Sequence, residues 1–429
     1  MKIREVFLFL LFALCPFIAS AQIVVDCTGA DKNAFKTITA ALASAGPGSS
    51  IVVTGPCNEN VFVQGATNLS LGAWSGQTAV INGNLSIDHS PFVYLYGLSV
   101  TNPNGDGYDI SYSDVVMDSC AGSGNAGNGL NAFPASHVVA FNTASFDGNG
   151  GFGIDESGTA WVGVGAFPLD VSNNAQGGIR VGAASVFGTV GSSAINNNGS
   201  PGAFDGGVGV LIFDGGVGDF SSYGGTNVIQ GNFGGGILVE EHSRVSVFGF
   251  AGGPSSTIQG NGPFGIQVAN GAQATLIEPT LISDHSGPGI DVFGKGQVYI
   301  SGNVQITRNG AGGDPRSAGV RLDGNSEALF RGGTVSQNLG PGILALVNSS
   351  VDFTGVGFSG NSGGVISCDS SAYMVTDLVP PGANNPFIRC RTPHSLGNGR
   401  FHFFGPPKPF DLSMYKSMQA RYRKIATRH

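Results

Sequence analysis

The residues whose types and spacing could do chemistry are four carboxylates and one guanidinium: Asp106, Asp109, Asp155, Glu156 and Arg180. A short pattern recurs in this chain, a Gly-aliphatic pair followed two residues later by a second apolar residue: Val181, Ile212, Val239, Val268, Val292, Leu322. After Gly153-Ile154 that second place is taken by Glu156. A carboxyl turned into an apolar interior is desolvated and its pKa rises, which suits a general acid. The other reading is a corner at Ser157-Gly158 that turns Glu156 to solvent. Asp155 alternates with Glu156 and points outward, with Arg180 as its counterpart one repeat on. On a surface that is an ordinary ion pair of little energy, and Asp291 with Arg321 repeats the arrangement. The candidate catalytic residues are therefore Asp155, Glu156, Asp106 and Asp109, with Arg180 and Tyr108 as candidate substrate contacts. Tyr108, Tyr94, Tyr96, Trp74 and Trp161 make a sugar-stacking platform if they face outward and core if they face inward. The seven His are scattered with no metal-ligand spacing.

These residues come together only if the chain stacks. The Gly-aliphatic pair recurs at Ile154, Ile179, Val210, Ile237, Ile266, Ile290, Val320, Ile343 and Val365, with steps of 22 to 31 residues, and Ile110 and Leu130 extend the column. A fixed period near 26 is the mark of a stack in which each unit touches only its neighbours. Within a unit, Ile237 and Val239 alternate, and so do Val245 and Val247, giving short strands joined by tight corners. Asn149, Asn174, Asn198, Asn232, Asn261, Asn309, Asn338 and Asn361 precede many units. Gly and Asn accept left-handed backbone at corners, and stacked Asn side chains hydrogen-bond from coil to coil. The expected architecture is all-β, a right-handed parallel β-helix solenoid of about twelve coils.

Composition agrees. Among 429 residues there are 71 Gly, 11% charged and 41% hydrophobic residues. That is too apolar for a disordered linker and too poor in helix formers for a bundle. Residues 1–21 read as a signal peptide, with Lys2 and Arg4, an apolar run from Val6 to Ile18, and the small-residue site Ala19-Ser20-Ala21. No second long apolar run follows, so no transmembrane segment is expected and the location is secreted or periplasmic. The net charge of -8 argues against nucleic acid as a partner. With Cys15 in the signal peptide, Cys27 and Cys57 flank the N-terminal helix and Cys368 and Cys390 lie together near the other end. Two disulfides are expected there, and Cys120 is left as a buried thiol.

Open coil ends expose backbone and core and need covering. Residues 34–45 read as an amphipathic helix with Phe35, Ile38, Leu42 and Ala45 on one stripe. The run Phe35-x-Thr37-Ile38-x-x-Ala41-Leu42-x-x-Ala45, then Ile51-x-Val53-x-Gly55-x-Cys57-x-Glu59-x-Val61, resembles the cap and first coil of pectate-lyase-like β-helix proteins. The resemblance continues as pattern over most of 27–377. It implies the fold and leaves the activity open, because that superfamily holds lyases, hydrolases, esterases, epimerases and non-catalytic surface proteins.

The superfamily's catalytic patterns are broken in this chain. Asn104-Gly105-Asp106-Gly107-Tyr108-Asp109 resembles the first element of the polygalacturonase-like hydrolases, but the next coil has no acidic pair, and Gly151-Phe152-Gly153 has Phe where that branch has His. Calcium-dependent pectate lyases hold the metal in a carboxylate cluster, and no clear set stands here. Calcium is the one metal the resemblance admits, and no other cofactor is implied. Four segments result: the signal peptide 1–21, an N-terminal cap 22–57, the β-helix 58–377, and a tail 378–429. The tail carries a short basic helix from about Ser413, with Tyr415, Met418, Tyr422 and Ile425 on one face. The expected function is an exported β-helix that binds or displays itself to extracellular polysaccharide or a cell-surface glycan without catalysis. The alternative is a polysaccharide lyase or glycoside hydrolase.

Overall fold

Short alternating strands separated by Gly and Asn corners cannot bury two faces alone; stacked in parallel, they bury one face in a shared interior. In the computed structural model this stack is described over residues 22–376, apart from 75, 223–224, 250–255, 278, 315–316 and 370. The expected signal peptide and tail lie outside the described residues, as does Cys390, and with it the second expected disulfide.

Each coil lays a strand on three parallel sheets. The first sheet runs from Gln22–Asp26 to Tyr373–Thr376, the second from Pro56–Cys57 to Gly357–Ser359, and the third from Val61–Gln64 to Ile366–Cys368. Three strands, Asp114–Gly122, His137–Ser145 and Trp161–Asp170, pass from the first sheet into the second. The third sheet has 13 strands, and the stack makes about 14 coils rather than the twelve expected. The difference has two sources. The strands Gln22–Asp26 and Ser50–Thr54 already form the first two layers. The early coils are also short: on the third sheet Val61, Leu85, Tyr108, Leu130, Ile154 and Ile179 are successive layers. At about 4.8 Å per layer the rod is about 65 Å long.

The helix expected over 34–45 is shorter, Ile38–Leu42. Backbone hydrogen bonds from Asp26 N to Phe35 O and from Phe35 N to Val24 O hold residue 35 against the first strand instead. The Thr37 hydroxyl caps the helix by accepting from Ala40 N. The Glu59 carboxylate accepts from Ile38 N and Thr39 N at 2.6 and 3.0 Å. Cys27 and Cys57 are disulfide-bonded beside this turn.

The inward columns are apolar almost throughout. Two column assignments change. Leu130 pairs with Tyr108, so Tyr108 stands in the column and Ile110 sits two places on, beside Ala132. Ile343 pairs with Ile366, so Ile366 and not Val365 is the column residue.

The corner between the second and third sheets carries the Asn ladder. Asn174 donates its backbone N and Nδ2 to Asn198 Oδ1, both at 3.0 Å, and the same pair of bonds joins Asn149 to Asn174 and Asn232 to Asn261. Neither the ladder Asn nor the Gly before the column aliphatic is left-handed, except Gly364. Those glycines are required by proximity: a Cβ on Gly209 would lie 2.6 Å from Asn232 Nδ2, and one on Gly153 2.7 Å from Asn174 Nδ2. The ladder side chain fills the space a Cβ would need. One ladder place is not Asn. His285 accepts from Asn261 N at Nδ1, and its Nε2 donates to Ile258 O at 3.1 Å. Burial pushes its pKa down to about 4.

Candidate functional site: the outer face of the third sheet

On a strand, residues one apart face opposite sides. Register on the third sheet therefore lines up one outward residue per coil: Phe62, Ser86, Asp109, Asn131, Asp155 and Arg180. Four of the expected site residues join this row or its edge, and side chains from five successive coils link them. Asn84 Nδ2 donates to Asp109 Oδ2 at 2.8 Å, and Asn131 Nδ2 to Asp109 Oδ1 at 2.7 Å. Asn128 Nδ2 donates to Asn131 Oδ1 at 2.7 Å and to Asp155 Oδ2 at 3.2 Å. Arg180 closes the run on Asp155, Nε to Oδ1 at 2.8 Å and Nη2 to Oδ2 at 2.5 Å, with its guanidinium 4.8 Å from the centre of the Phe152 ring. At the edge, Asp106 Oδ1 accepts from Asn128 N at 2.5 Å. Burial raises the Asp109 carboxyl above the usual range; its donors Asn131 and Asn84 oppose the shift, and the charge of Asp106 adds to it.

Exposed rings flank this polar run. Phe62 heads the row at 54% exposure, with Tyr112 at 50% and Phe133 at 36% beside it. Tyr112 stacks on His89, whose Nδ1 lies 2.8 Å from Asp88. At the Phe62 end the face opens into a cleft of about 400 Å³ lined by Leu42, Pro47, Phe62, Gln64 and Leu69 among others.

Two expected site residues are placed elsewhere. Tyr108 has no accessible surface, and its hydroxyl donates to Leu98 O at 3.1 Å, so it is core and not a substrate contact. Glu156 pairs in register with Ala132 and Val181, which sets it in the inward column, with no accessible surface. Neither carboxyl oxygen has a hydrogen-bond partner. Burial, and then the charge of Asp155, hold its pKa well above the carboxylate range. A sealed carboxyl touches no polymer; the corner at Ser157 begins one residue too late to turn it out. Asp155 is itself nearly buried under Arg180. Asp291 and Arg321 repeat that geometry, with Nε to Oδ1 at 2.7 Å and Gln267 as an added donor.

The aromatic platform also divides. Tyr94 and Trp161 lie on the outer side of the first sheet in an apolar cluster with Phe92, Val116, Val139 and Phe141, and Tyr96 packs against it. The indole of Trp161 lies over Gly163, where a Cβ would meet it at 2.3 Å. The cluster is nearly closed to solvent, and only Trp74, outside it, is well exposed. Beside the cluster, Asp118 accepts from Tyr94 Oη at 2.9 Å and from Asn142 Nδ2 at 2.6 Å. His137 Nδ1 lies 2.8 Å from Asp114 Oδ1, and that hydrogen bond raises its pKa against the opposing effect of burial. Sequence reasoning missed Asn84, Asn128, Asn131 and the Asp114–His137 pair. The signal for the first three was present: outward positions read at the coil period give the amide-carboxylate row.

Among the described residues, one group of three possible metal ligands stands close together, Cys27, Cys57 and Glu59, and its two sulfurs are joined in the disulfide. No helix among them is long and apolar enough to cross a membrane.

Residues 254–378 match the model of the right-handed β-helix region family. No curated protein matches the chain. Among solved structures, the A-module of the mannuronan C-5 epimerase AlgE6 from Azotobacter vinelandii is similar at 16% identity and a TM-score of 0.42, over 80% of this chain and 94% of that one. Three parallel sheets, a continuous inner column and an Asn ladder make the chain a right-handed parallel β-helix protein, all-β among the described residues but for one short α-helix and one 3-10 turn.

Proposed function

We propose that this is an exported β-helix protein that binds an extracellular polysaccharide or cell-surface glycan along the outer face of its third sheet, over residues 62–180, without turning it over. The observation that carries this reading is the outward row itself. Rigid carboxylate and amide groups repeat about every 4.8 Å along a straight face, a spacing near the length of one sugar ring. Their mutual hydrogen bonds fix their orientation, and exposed Phe62, Tyr112 and Phe133 offer ring faces beside them. The half-buried carboxylates of Asp106 and Asp109 accept from sugar hydroxyls and the half-buried amides of Asn84 and Asn128 donate and accept, while the nearly buried Asn131 and Asp155 hold them in place. A non-catalytic role is supported by the sealed position of Glu156 and the occupied position of Asp155. Export is supported by the leader pattern at 1–21 and by the Cys27–Cys57 disulfide, which suits an oxidising compartment. Affinity electrophoresis against neutral, amino and uronic-acid polymers tests the reading. Retardation by at least one polymer is expected, and unchanged mobility in all of them sinks it.

A second reading is favoured by one observation. His137 and Asp114 form a hydrogen-bonded pair with about a third of each side chain exposed, an arrangement suited to general acid-base work in a lyase or hydrolase. Release of reducing ends or of unsaturated-uronide absorbance by the protein, lost in His137→Ala, would establish it. No release from the polymers that bind removes it.

A further inference from the structure

Residues 37–179 contain no Lys or Arg and ten Asp or Glu, whereas residues 378–429 contain nine Lys or Arg and one Asp. The first cation after Lys36 is Arg180, and it is held bidentately on Asp155. The third-sheet face over 62–180 therefore presents Asp88, Asp106 and Asp109 with no lysine or arginine on their own coils. It also presents the exposed rings of Phe62, Tyr112 and Phe133. The basic segment has the complementary pattern: Lys416, Arg421, Arg423 and Lys424 alternate with Tyr415, Met418, Tyr422 and Ile425.

We propose that this face is the docking surface for the chain's own basic segment 378–429, and that a polysaccharide displaces that segment when it binds. The docking stands on charge and pattern alone; the displacement rests on the binding reading proposed above. Length permits it. Ile366 and Tyr108 are ten coil spacings apart in register on the third sheet, about 48 Å. The 39 residues from Thr376 to Tyr415 span up to about 130 Å when extended. Attraction between a face whose single arginine is held on Asp155 and a cation-rich segment of the same molecule acts at high effective concentration and is screened by salt.

The test uses the full secreted chain and zero-length carbodiimide coupling of lysine to carboxylate, mapped by mass spectrometry. Links from Lys408, Lys416 or Lys424 to Asp88, Asp106 or Asp109 are expected, falling about fivefold or more between low and 1 M salt. Tail lysines that couple only to carboxylates of the last coils, such as Asp352 or Asp369, overturn the proposal, as does coupling that salt leaves unchanged. A mixture of isotope-labelled and unlabelled protein separates links within one chain, which are expected, from links between copies; links found only between copies overturn docking of the chain's own segment. Adding a polymer that binds is expected to cut the links about fivefold. Links that persist at full polymer occupancy overturn the displacement. Links seen when no polymer binds leave the docking standing and remove the polysaccharide reading, so the two fail separately.

Discussion

Asp155 and Glu156 are consecutive on one strand and live in opposite environments. Asp155 lies on the outer side under the Arg180 guanidinium, and Glu156 lies in the core with neither oxygen hydrogen-bonded. Alternation along the strand imposes this split, and the split decides which of the two carboxyls has a cationic partner.

Glu156 weakens the coil that holds it. An unpaired buried polar group costs about 1–3 kcal/mol, so Glu156→Leu is expected to raise the thermal midpoint at pH 7. Its folded pKa lies well above the unfolded value. Its contribution is therefore fully present below about pH 4.3 and is lost progressively as pH rises toward the folded pKa. Melting curves between pH 5 and 9 should fall with pH more steeply for the native chain than for Glu156→Leu. Parallel curves would show that the carboxyl is not buried.

The ladder histidine gives the opposite dependence. With a folded pKa of about 4 against about 6.5 unfolded, neutral His285 contributes stability that is present above about pH 6.5 and is lost as pH falls toward 4. His285→Asn restores the ladder residue used in the neighbouring coils. It should melt higher at pH 5, with the gap narrowing by pH 8, in the same scan.

Asp291 and Arg321 test whether the outward ion pairs stabilise the rod. Asp291 is nearly buried, so Arg321→Leu strands a charge and should cost about 3 kcal/mol. The double change Asp291→Leu with Arg321→Leu places two leucines beside Leu344 in the same row. It should recover most of that loss in chemical denaturation.

The binding face makes a separate prediction. Asn131→Ala removes a donor to Asp109 and an acceptor for Asn128 while leaving the inner column intact. It should weaken polymer binding about tenfold, or about 1.4 kcal/mol, with a smaller change in melting temperature. Equal affinity in native and variant protein would move the site off this face.

The stack was legible in the sequence because its cause is local and repeated. A Gly-aliphatic pair and an Asn at a period near 26 state the coil, the inner column and the ladder within one repeat, and every further repeat restates them. The same pattern put Glu156 among the column positions. The left-handed corner assigned to those Gly and Asn was wrong because their constraint comes from the coil above, where the next Asn side chain occupies the place of a Cβ. Column membership failed at Tyr108 and Ile110 for a related reason: coils of 22 to 25 residues slip against a mean period, and a strand read two residues out keeps its inner face but is matched to the wrong partners. The outward row of Asp109, Asn131, Asp155 and Arg180 was legible only in part: the coil period pairs Asp155 with Arg180, but the amides that Asn84 and Asn131 bring to Asp109 were not read. Its members are 22 to 25 residues apart in the chain and become neighbours only through strand register, which hydrogen bonding between coils sets. The sequence by itself determined that this chain stacks; the tertiary register decided which polar side chains meet on its surface and which carboxyl is sealed inside.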